Sequence, residues 1–437
     1  MKILNREKVL EKILCCQDEL NARNKSGIEK YRKGNFTIRF TQKGNKKVSV
    51  RQIRHKFLFG STGFMLGCFE NAEKETKFKE LFASIFNLVV VPFYWNTLEP
   101  EEGKLRFQKD SENIYRRPAP DTVLEFCLDY GIEPKGHCLT WNWMTPDWLK
   151  KYSPNKRKKI LERRFSEIAE EYADKIPSFD IVNESASNYR YGRDSLFENY
   201  DEFSLRLGKK YFPNNKKIIN ETNQAIWYDY MSEGKYMSFN MQLKDFIRRR
   251  LPIDEIGLQY HIFIESDQLE SDGVKDAFLN AKYMLEILDL YDRFNLPMHI
   301  SEITIPSYVG RIVENEELQA EIAKIWYETW FATRNMKSIV WWNLADGYAA
   351  YAPMGTDEGE NRYGGGLVHF DMSKKPAYNA LDKLINHEWK TSEEIVTDAC
   401  EFTFRGFYGE YEVEVENADS KNKKTVNFDS DGVKISI

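Results

Sequence analysis

The 437-residue sequence has no long apolar run and no cysteine framework. No segment approaches the roughly 20 consecutive apolar residues that a membrane helix requires, so we expect no membrane association. The cysteines are few and scattered, without the spacing of a disulfide framework or a zinc site, which is typical of reduced thiols. They are Cys15, Cys16, Cys68, Cys127, Cys138 and Cys400.

The first residues also lack the apolar core and small-residue cleavage site of a secretory signal. We therefore expect cytoplasmic residence, with secretion left open if a leader has been removed. Basic residues are not concentrated either: 63 Lys and Arg stand against 68 Asp and Glu, for a net charge of −5. This balance offers no basic face to a polyanion, so nucleic acid is not an expected partner. The sequence leaves the oligomeric state open.

What the chain does contain, from residue 57 onward, is a series of short apolar runs that alternate with longer helical patterns. This alternation favours a parallel sheet with crossover helices, and the eight candidate strands match the number that closes a (β/α)8 barrel. The predicted strands are 57–60, 88–91, 132–139, 179–183, 217–220, 255–261, 298–301 and 339–343. The predicted helices are 72–86, 121–130, 156–175, 201–210, 236–250, 273–294, 314–334 and 376–387.

The two ends of the chain show a different pattern. Residues 5–25 have the periodicity of an amphipathic helix, and five short segments alternate like β-strands: 36–40, 48–53, 401–405, 411–416 and 425–428. We expect these strands to pair into a small β-rich accessory module. The predicted division is therefore a helix and β-rich preamble at 1–56, the barrel at 57–388 and C-terminal strands at 389–437.

Two of the apolar runs end in a glutamate, Asp180-Ile181-Val182-Asn183-Glu184 and His299-Ile300-Ser301-Glu302. Each glutamate would lie at the carboxyl end of a barrel strand, where side chains from different strands converge. Two carboxyl groups about 5–5.5 Å apart are what a retaining glycoside hydrolase requires. Either glutamate alone could be an ordinary exposed residue in so acidic a chain.

Five sequence blocks, in order along the chain, resemble family 10 glycoside hydrolases, a family best known for endo-β-1,4-xylanases. Residues 136–148 resemble its Gly-His-x-Leu-x-Trp-His block with the following Pro-x-Trp, and 180–184 its Asp-Val-Val-Asn-Glu strand. Residues 256–261 are similar to its Gln-x-His strand, 299–302 to its Ile-Thr-Glu and 340–346 to its Trp-Gly-x-x-Asp. An ordered set of blocks is far more specific than a single Asn-Glu pair.

The resemblance implies a role for each site residue. Glu302 would be the nucleophile, and Glu184 would act first as acid and then as base. The implied substrate-binding residues are His137, Trp141, Asn142, Asn183, Gln259, His261 and Trp342. Among these, Asn183 would bond the sugar 2-hydroxyl or else cap its strand, Gln259 could bond Glu302, and Trp141 and Trp342 would wall the reacting sugar. Core packing is at least as compatible with a further five aromatic residues: Trp143, Trp148, Trp227, Trp341 and Tyr348.

The sequence also departs from the family pattern. After the second strand, residues 90–96 lack the family's Glu-Asn-x-x-Lys-Trp, whose polar groups bind the sugar next to the reacting one. Asn142 and Met144 replace a histidine and a glutamine, and Thr304 replaces an acid, so we expect His261 to lack a carboxylate partner there. These changes favour retained β-glycosidase chemistry on an altered sugar chain or conjugate.

The segment 353–366 after the eighth strand is rich in glycine and acidic residues and could close over a substrate. Its acidic residues do not have the spacing of a standard Ca²⁺ loop, so we expect no metal and no cofactor. The leading hypothesis is a retaining endo-β-1,4-xylanase that acts on a β-linked polysaccharide or oligosaccharide, xylan or xylo-oligosaccharides. The alternatives are an exo-type or conjugate-cleaving β-glycosidase on another plant glycan or glycoside, and a carbohydrate-binding barrel without turnover.

Overall fold

The computed structural model describes residues 2–41, 44–187, 196–228, 235–271, 273–418 and 420–437. Within these residues the chain forms fifteen β-strands. They are Lys33–Arg39 (β1), Lys46–His55 (β2), Leu58–Thr62 (β3), Leu88–Pro92 (β4), Glu133–Thr140 (β5), Ser178–Asn183 (β6), Lys216–Glu221 (β7), Glu255–His261 (β8), Met298–Thr304 (β9), Met336–Trp341 (β10), Ser392–Thr397 (β11), Glu401–Phe407 (β12), Gly409–Glu416 (β13), Lys421–Phe428 (β14) and Lys434–Ser436 (β15).

The strands β3 to β10 close a parallel barrel in the order β10-β3-β4-β5-β6-β7-β8-β9. The barrel closes where Ser338 of β10 pairs with Leu58 of β3. The strands are buried along nearly their whole length, because the barrel core lies on one face and the helices cover the other. The predicted (β/α)8 barrel is confirmed, and each of its eight strands overlaps a predicted one.

Helices lie between the barrel strands and before β1. They are Arg6–Leu14 (α1), Gln17–Tyr31 (α2), Ala72–Ile85 (α3), Trp95–Leu98 (α4), Pro120–Tyr130 (α5), Pro154–Tyr172 (α6), Tyr200–Tyr211 (α7), Asn223–Ile226 (α8), Ser238–Arg248 (α9), Ala281–Asp292 (α10), Val313–Ala332 (α11) and Pro376–Asp382 (α12), which continues as a π-helical turn at Lys383–Glu388. No helix among the described residues is long and apolar enough to cross a membrane.

Two predicted helices differ from the structure. The single helix expected at 5–25 is two, because α1 packs on α10 whereas α2 packs on α11, and the chain turns between them. The helix expected to begin at 273 begins at Ala281, where the Asn280 side chain accepts a hydrogen bond from the N–H of Tyr283. This N-cap begins the helix, and a separate 3₁₀ turn at Val274–Ala277 precedes it.

The terminal strands form two antiparallel-rich sheets, β12-β1-β15 and β11-β2-β13-β14, around a small apolar core that includes Phe36, Tyr411 and Phe428. The predicted accessory module from the two ends of the chain is therefore present. Two of its strands, β11 and β15, were not predicted. Strand β11 lies at a sheet edge with no fully buried residue, and β15 has only three residues, so neither carries a clear apolar alternation.

The module covers the amino-terminal end of the barrel. The Arg32 guanidinium donates to the carbonyls of Phe331, in the last turn of α11, and Thr333, just after that helix. The rings of Phe331 and Trp389 stack with centroids 4.1 Å apart. The carboxyl ends of the strands, at the opposite end of the barrel, are left to form a cleft.

Candidate active site

Glu184 and Glu302 face one cavity at the carboxyl ends of the barrel strands. Gln259 of β8 bridges them, because its Nε2 lies 2.9 Å from Glu184 Oε1 and 3.2 Å from Glu302 Oε1. The two oxygens that share this nitrogen are separated by at most 2.9 Å plus 3.2 Å, or 6.1 Å. That limit is below the roughly 6.5–9.5 Å separation of inverting glycosidases and agrees with the shorter separation of retaining ones.

Side chains from neighbouring strands hold the Glu302 carboxylate. Its Oε1 accepts a hydrogen bond from Asn220 Nδ2 at 2.9 Å as well as the one from Gln259. Its Oε2 lies 3.1 Å from His261 Nε2, and His137 Nε2 approaches Oε1 to 3.8 Å. Donors on both oxygens fix the orientation of the carboxylate toward the cavity.

The second nitrogen of His261 meets a hydroxyl group, because Nδ1 lies 2.9 Å from Thr304 Oγ1. With the proton on Nε2, directed at Glu302, Nδ1 accepts from that hydroxyl. Thr304 thus fills the place where the resemblance implies a carboxylate, and the imidazole keeps a partner on each side.

His137 belongs to a buried charged chain below the cavity. Its Nδ1 lies 2.7 Å from Asp180 Oδ2, and Lys135 Nζ lies 2.9 Å from Asp180 Oδ1. Burial opposes ionisation of Asp180, but the charge of Lys135 and the hydrogen bond of His137 outweigh it and lower the pKa of Asp180. The ionised Asp180 orients the His137 ring, whose other nitrogen faces Glu302.

Glu184 lies in a different electrostatic environment. Burial raises the pKa of Glu184 to about 8; the hydrogen bond from Gln259 counteracts this rise, and the charge of Glu302 adds to it. A carboxyl group with this pKa holds its proton at neutral pH, which is the state that a general acid needs.

The backbone around Glu184 is fixed by the neighbouring strand β7. Glu184 has a left-handed backbone with φ 53°, which is uncommon for residues other than glycine, and its N–H donates to Asn220 O at 2.9 Å. The Glu221 carboxylate accepts hydrogen bonds from the N–H of Ala186 at 2.7 Å and from Ser187 Oγ at 2.9 Å. Burial raises the pKa of Glu221 to about 7, against the lowering effect of these bonds. Glu221 thus holds the turn that carries Glu184.

Aromatic rings wall the cavity, whose volume is about 190 Å³. Trp342 is edge-on to His261 at 5.6 Å and to His137 at 6.1 Å between ring centroids. Trp141 also lines the cavity, with its ring centroid 5.6 Å from that of Tyr94. Flat apolar faces beside hydrogen-bonding groups are suited to a sugar ring, which has apolar faces and polar edges.

The two predicted asparagines have different positions. Asn183 lines the cavity, and its Oδ1 accepts from Asn220 Nδ2 at 2.8 Å, while its buried Nδ2 faces the Glu184 carboxyl group without a hydrogen bond of ordinary geometry. Asn142 does not line this cavity, because it is buried in a 3₁₀ turn with its Oδ1 accepting from the N–H of Leu196 at 3.1 Å. The structure therefore brings together all the predicted site residues except Asn142.

Of the five aromatic residues for which the sequence left core packing open, one lines the cavity and four lie elsewhere. Trp143 lines the cavity. The other four donate hydrogen bonds elsewhere: Trp148 to Glu99 O, Trp227 to Gln259 O, Trp341 to Gly365 O and Tyr348 to Glu70. Of these, Trp227 supports the strand segment that presents Gln259.

Among the residues that were not predicted as site residues, Asn220, Glu221, Arg117 and Glu360 contribute polar groups to the site. A signal existed for the first two, since Ile218-Ile219-Asn220-Glu221 repeats the pattern Ile181-Val182-Asn183-Glu184 on the adjacent strand. Arg117 comes from a long loop where no local pattern marks it, whereas Glu360 lies in the acidic, glycine-rich segment 353–366 that was predicted to lie beside a substrate. Across the described residues, no group of three or more His, Cys, Asp or Glu side chains could hold a metal ion.

The family model described as Glycosyl hydrolase family 10 matches residues 56–384. Endo-1,4-beta-xylanase B of Neocallimastix patriciarum is 23% identical over 290 residues, which cover 64% of this chain and 30% of that protein. Endo-1,4-beta-xylanase B of Thermotoga neapolitana is 24% identical over 363 residues, which cover 79% of this chain and 94% of that protein. The chain spans less than half the length of the first three curated relatives that it matches.

Solved structures show the same fold. Xylanase 10B from Thermotoga petrophila RKU-1, in complex with xylobiose, superimposes with a TM-score of 0.59 at 19% sequence identity. The superposition covers 76% of this chain and 95% of that chain. About a quarter of this chain lies outside the superposition.

Proposed function

The chain belongs to glycosyl hydrolase family 10, and we propose that it is a retaining β-glycoside hydrolase. The observation that carries the proposal is the bridge of Gln259 Nε2 to both Glu184 and Glu302, which limits the separation of the two carboxylates. The names of the curated relatives favour endo-β-1,4-xylanase action on xylan or xylo-oligosaccharides.

In the proposed first step, a Glu302 oxygen attacks the anomeric carbon, and the bond from that carbon to the departing oxygen breaks. Glu184 gives its proton to the departing oxygen. The product is a glycosyl ester on Glu302. Asn183 would donate its Nδ2–H to the 2-hydroxyl of the sugar, a contact that strengthens in the transition state.

In the second step, the Glu184 carboxylate takes a proton from water while the water oxygen attacks the anomeric carbon and the ester bond breaks. Esterification removes the charge of Glu302, one of the contributions that raise the pKa of Glu184. That pKa therefore falls in the intermediate, which suits the same residue to act as base. Two inversions at one carbon give net retention.

The assignment of the two glutamates is tested with Glu302→Ala and Glu184→Ala on substrates with activated and unactivated leaving groups. Glu302→Ala should abolish turnover of both. Glu184→Ala should leave the first step, reported by kcat/KM, nearly unchanged for an activated aryl glycoside. Its kcat/KM on an oligosaccharide should fall roughly 10²–10⁴-fold, which is the usual contribution of a general acid. Glu170→Ala, an exposed glutamate of α6, serves as the control. Equal losses on both substrates in Glu184→Ala would contradict the acid assignment.

Two other functions fit part of the site. An exo-type or conjugate-cleaving β-glycosidase would hydrolyse short aryl glycosides and ignore polymeric xylan, so the ratio of these two rates separates it from a xylanase. A carbohydrate-binding barrel would bind oligosaccharides without turning over any of them. The proton held by Glu184 beside a hydrogen-bonded Glu302 favours an enzyme over that second alternative.

Within this proposal, residues 57–388 form the catalytic unit. The segments 1–56 and 389–437 would act together as a structural module, since their strands pair with each other and their side chains pack under the barrel.

A further inference from the structure

The loop that follows β10 places a third carboxylate in the catalytic cavity. Glu360, in the 3₁₀ turn Gly359–Tyr363, lines the same cavity as Glu184 and Glu302. The N–H of Ala350 and the side chain of Trp342 donate to its carboxyl group, whereas its Oε2 is fully buried without a hydrogen-bond partner among the described residues. A buried carboxylate oxygen without a partner is costly to desolvate, unless a ligand supplies the donor.

This loop is fixed in place. The Asn361 side chain accepts from the N–H of Ala349 at 2.7 Å and donates to Pro353 O at 3.3 Å. Three residues after Asn361, Gly364 O accepts from the fully buried Lys375 Nζ at 2.7 Å, and the same Nζ lies 2.8 Å from Ser307 Oγ. These contacts hold the backbone on both sides of Glu360 at the edge of the cavity.

Arg117 brings a donor to the same cavity from the segment before α5. Its guanidinium lies 4.1 Å above the Tyr94 ring, and its Nη1 donates to Arg116 O at 2.8 Å. Arg117 forms no ion pair with any residue that the structure describes, so its remaining N–H groups are available to a ligand in the cavity.

In the segment after β4, the family pattern has polar groups that bind sugar. The residues at these positions make different contacts in this chain. Tyr94 presents a ring to the cavity. Trp95 Nε1 donates to Glu99 at 2.9 Å, and Asn96 Nδ2 lies 3.6 Å from Met144 Sδ. On the β4 side of the cavity, the groups that bind sugar hydroxyls must therefore come from the loop after β10 and from the segment before α5.

We propose that Glu360 and Arg117 determine the glycone specificity of this site, with Glu360 accepting hydrogen bonds from sugar hydroxyls and Arg117 donating to sugar oxygens. The inference rests on the proposed function, whose glycone they would bind. Because Glu184 holds its proton, the charges that line the cavity are Glu302 and Glu360 against Arg117, and this net negative balance disfavours an anionic sugar. The glycone is therefore a neutral sugar with free hydroxyls and not a uronic acid.

The test measures kcat/KM on xylotriose and the Kd of xylotriose in a Glu302→Gln background. Glu360→Ala and Arg117→Ala should each lose about 10- to 100-fold in kcat/KM, with a similar loss in binding, as expected for a hydrogen bond to a charged group. Glu358→Ala in the same loop and Lys104→Ala in the Arg117 segment are exposed controls and should be unchanged. Glu360→Gln, which keeps one acceptor oxygen, should recover part of the loss.

The outcomes separate this inference from the proposed function. Turnover by the wild type with Glu360→Ala and Arg117→Ala equal to their controls would overturn the inference alone. Binding that both variants weaken, without turnover in the wild type, would support the inference and contradict the proposed hydrolase. Failure of xylotriose to bind or react, together with failure of aryl β-glycosides to react, would overturn both.

A second comparison tests the neutral class of the glycone. Wild type should hydrolyse 4-nitrophenyl β-xyloside faster than 4-nitrophenyl β-glucuronide, and Glu360→Ala should narrow that difference. A wild-type preference for the glucuronide that disappears in Arg117→Ala would mean that Arg117 receives a carboxylate, which would overturn the assignment of Glu360 as a substrate-binding group.

Discussion

At the scale of single residues, the position of Glu302 depends on a glycine in the neighbouring strand. A Cβ atom on Gly257 would lie 2.2 Å from Asn220 Oδ1, far closer than atoms approach. Asn220 in turn bonds both Asn183 and Glu302. The glycine therefore allows one amide to align the proposed nucleophile with the group that would hold the 2-hydroxyl.

Gly257→Ala should displace Asn220 and lower kcat/KM by about 100-fold, since a misplacement of about 1 Å can cost that much. The loss should appear in steady-state rates on an aryl glycoside with the protein still folded by circular dichroism. Gly208→Ala in α7 adds the same methyl group against Ile181, outside the cavity, and is the control. Unchanged kinetics in Gly257→Ala would show that Asn220 does not align Glu302.

The pKa of Glu184 gives a pH prediction. The protonated form is the active acid, so kcat/KM on an oligosaccharide should fall as pH rises through about 8, the raised pKa of Glu184. A 2,4-dinitrophenyl glycoside needs no acid for its departure, and its kcat/KM should lack this alkaline limb. If kcat/KM fell near pH 8 on both substrates, a group other than Glu184 would be titrating in that pH range.

The sequence was sufficient to predict the two glutamates and most of their neighbours, because strand ends marked by polar residues converge in a barrel. It placed Asn142 in the site as well, but that side chain bonds the N–H of Leu196 instead. The direction of a side chain in a short turn depends on tertiary contacts that local pattern does not contain. Glu360 was predicted only as a member of the acidic loop 353–366, since its individual position depends on contacts far along the chain, such as that of Lys375 with Gly364.

At the scale of elements, the loop after β10 depends on Lys375. This residue is fully buried, and its Nζ contacts Ser307 Oγ, Gly364 O and Asp346 Oδ2, the last at 3.1 Å. One ammonium group thus joins the ends of β9 and β10 to the loop that carries Glu360.

Lys375→Met should lower the free energy of unfolding by about 1–3 kcal/mol, because the buried acceptors Ser307 Oγ and Gly364 O lose their donor. It should also raise KM, since Glu360 loses its support. Thermal unfolding and steady-state kinetics measure the two effects. Lys374→Met changes the adjacent exposed lysine and should leave both nearly unaltered. Loss of stability without a change in KM would show that the loop holds Glu360 independently of Lys375.

The elements themselves were predictable to different degrees. The barrel strands and their helices follow from apolar runs and helical periodicity, which burial on both faces makes strong. The break between α1 and α2 was not predictable, because it comes from packing on two different helices.

At the scale of the whole molecule, the terminal segments close the end of the barrel opposite the cavity. Strand β1 pairs with β12 and β15, and β2 pairs with β11 and β13, so each N-terminal strand depends on C-terminal partners. The alternation of apolar and polar residues in both terminal segments predicted that their strands pair. It did not predict the register in which the strands pair.

Truncation after residue 388 should therefore strongly lower the thermal unfolding temperature and cause association, because it exposes the edges of β1 and β2 and the apolar core around Phe36. Truncation after residue 429, which removes only β15, should have a much smaller effect. Differential scanning calorimetry and sedimentation measure these changes. A monomeric, equally stable 1–388 fragment would contradict the structural role of the module.

The central claim is that Glu302 forms a covalent bond to the anomeric carbon of the sugar, while Glu184 protonates the departing oxygen of the leaving group. Intact-mass and peptide analysis after incubation with 2,4-dinitrophenyl 2-deoxy-2-fluoro-β-xyloside tests it most directly, because the fluorine slows breakdown of a glycosyl ester. The account predicts a single fluoroxylosyl adduct on the peptide that contains Glu302. An adduct on a different residue, or steady turnover of the parent xyloside without any trapped species, would contradict it.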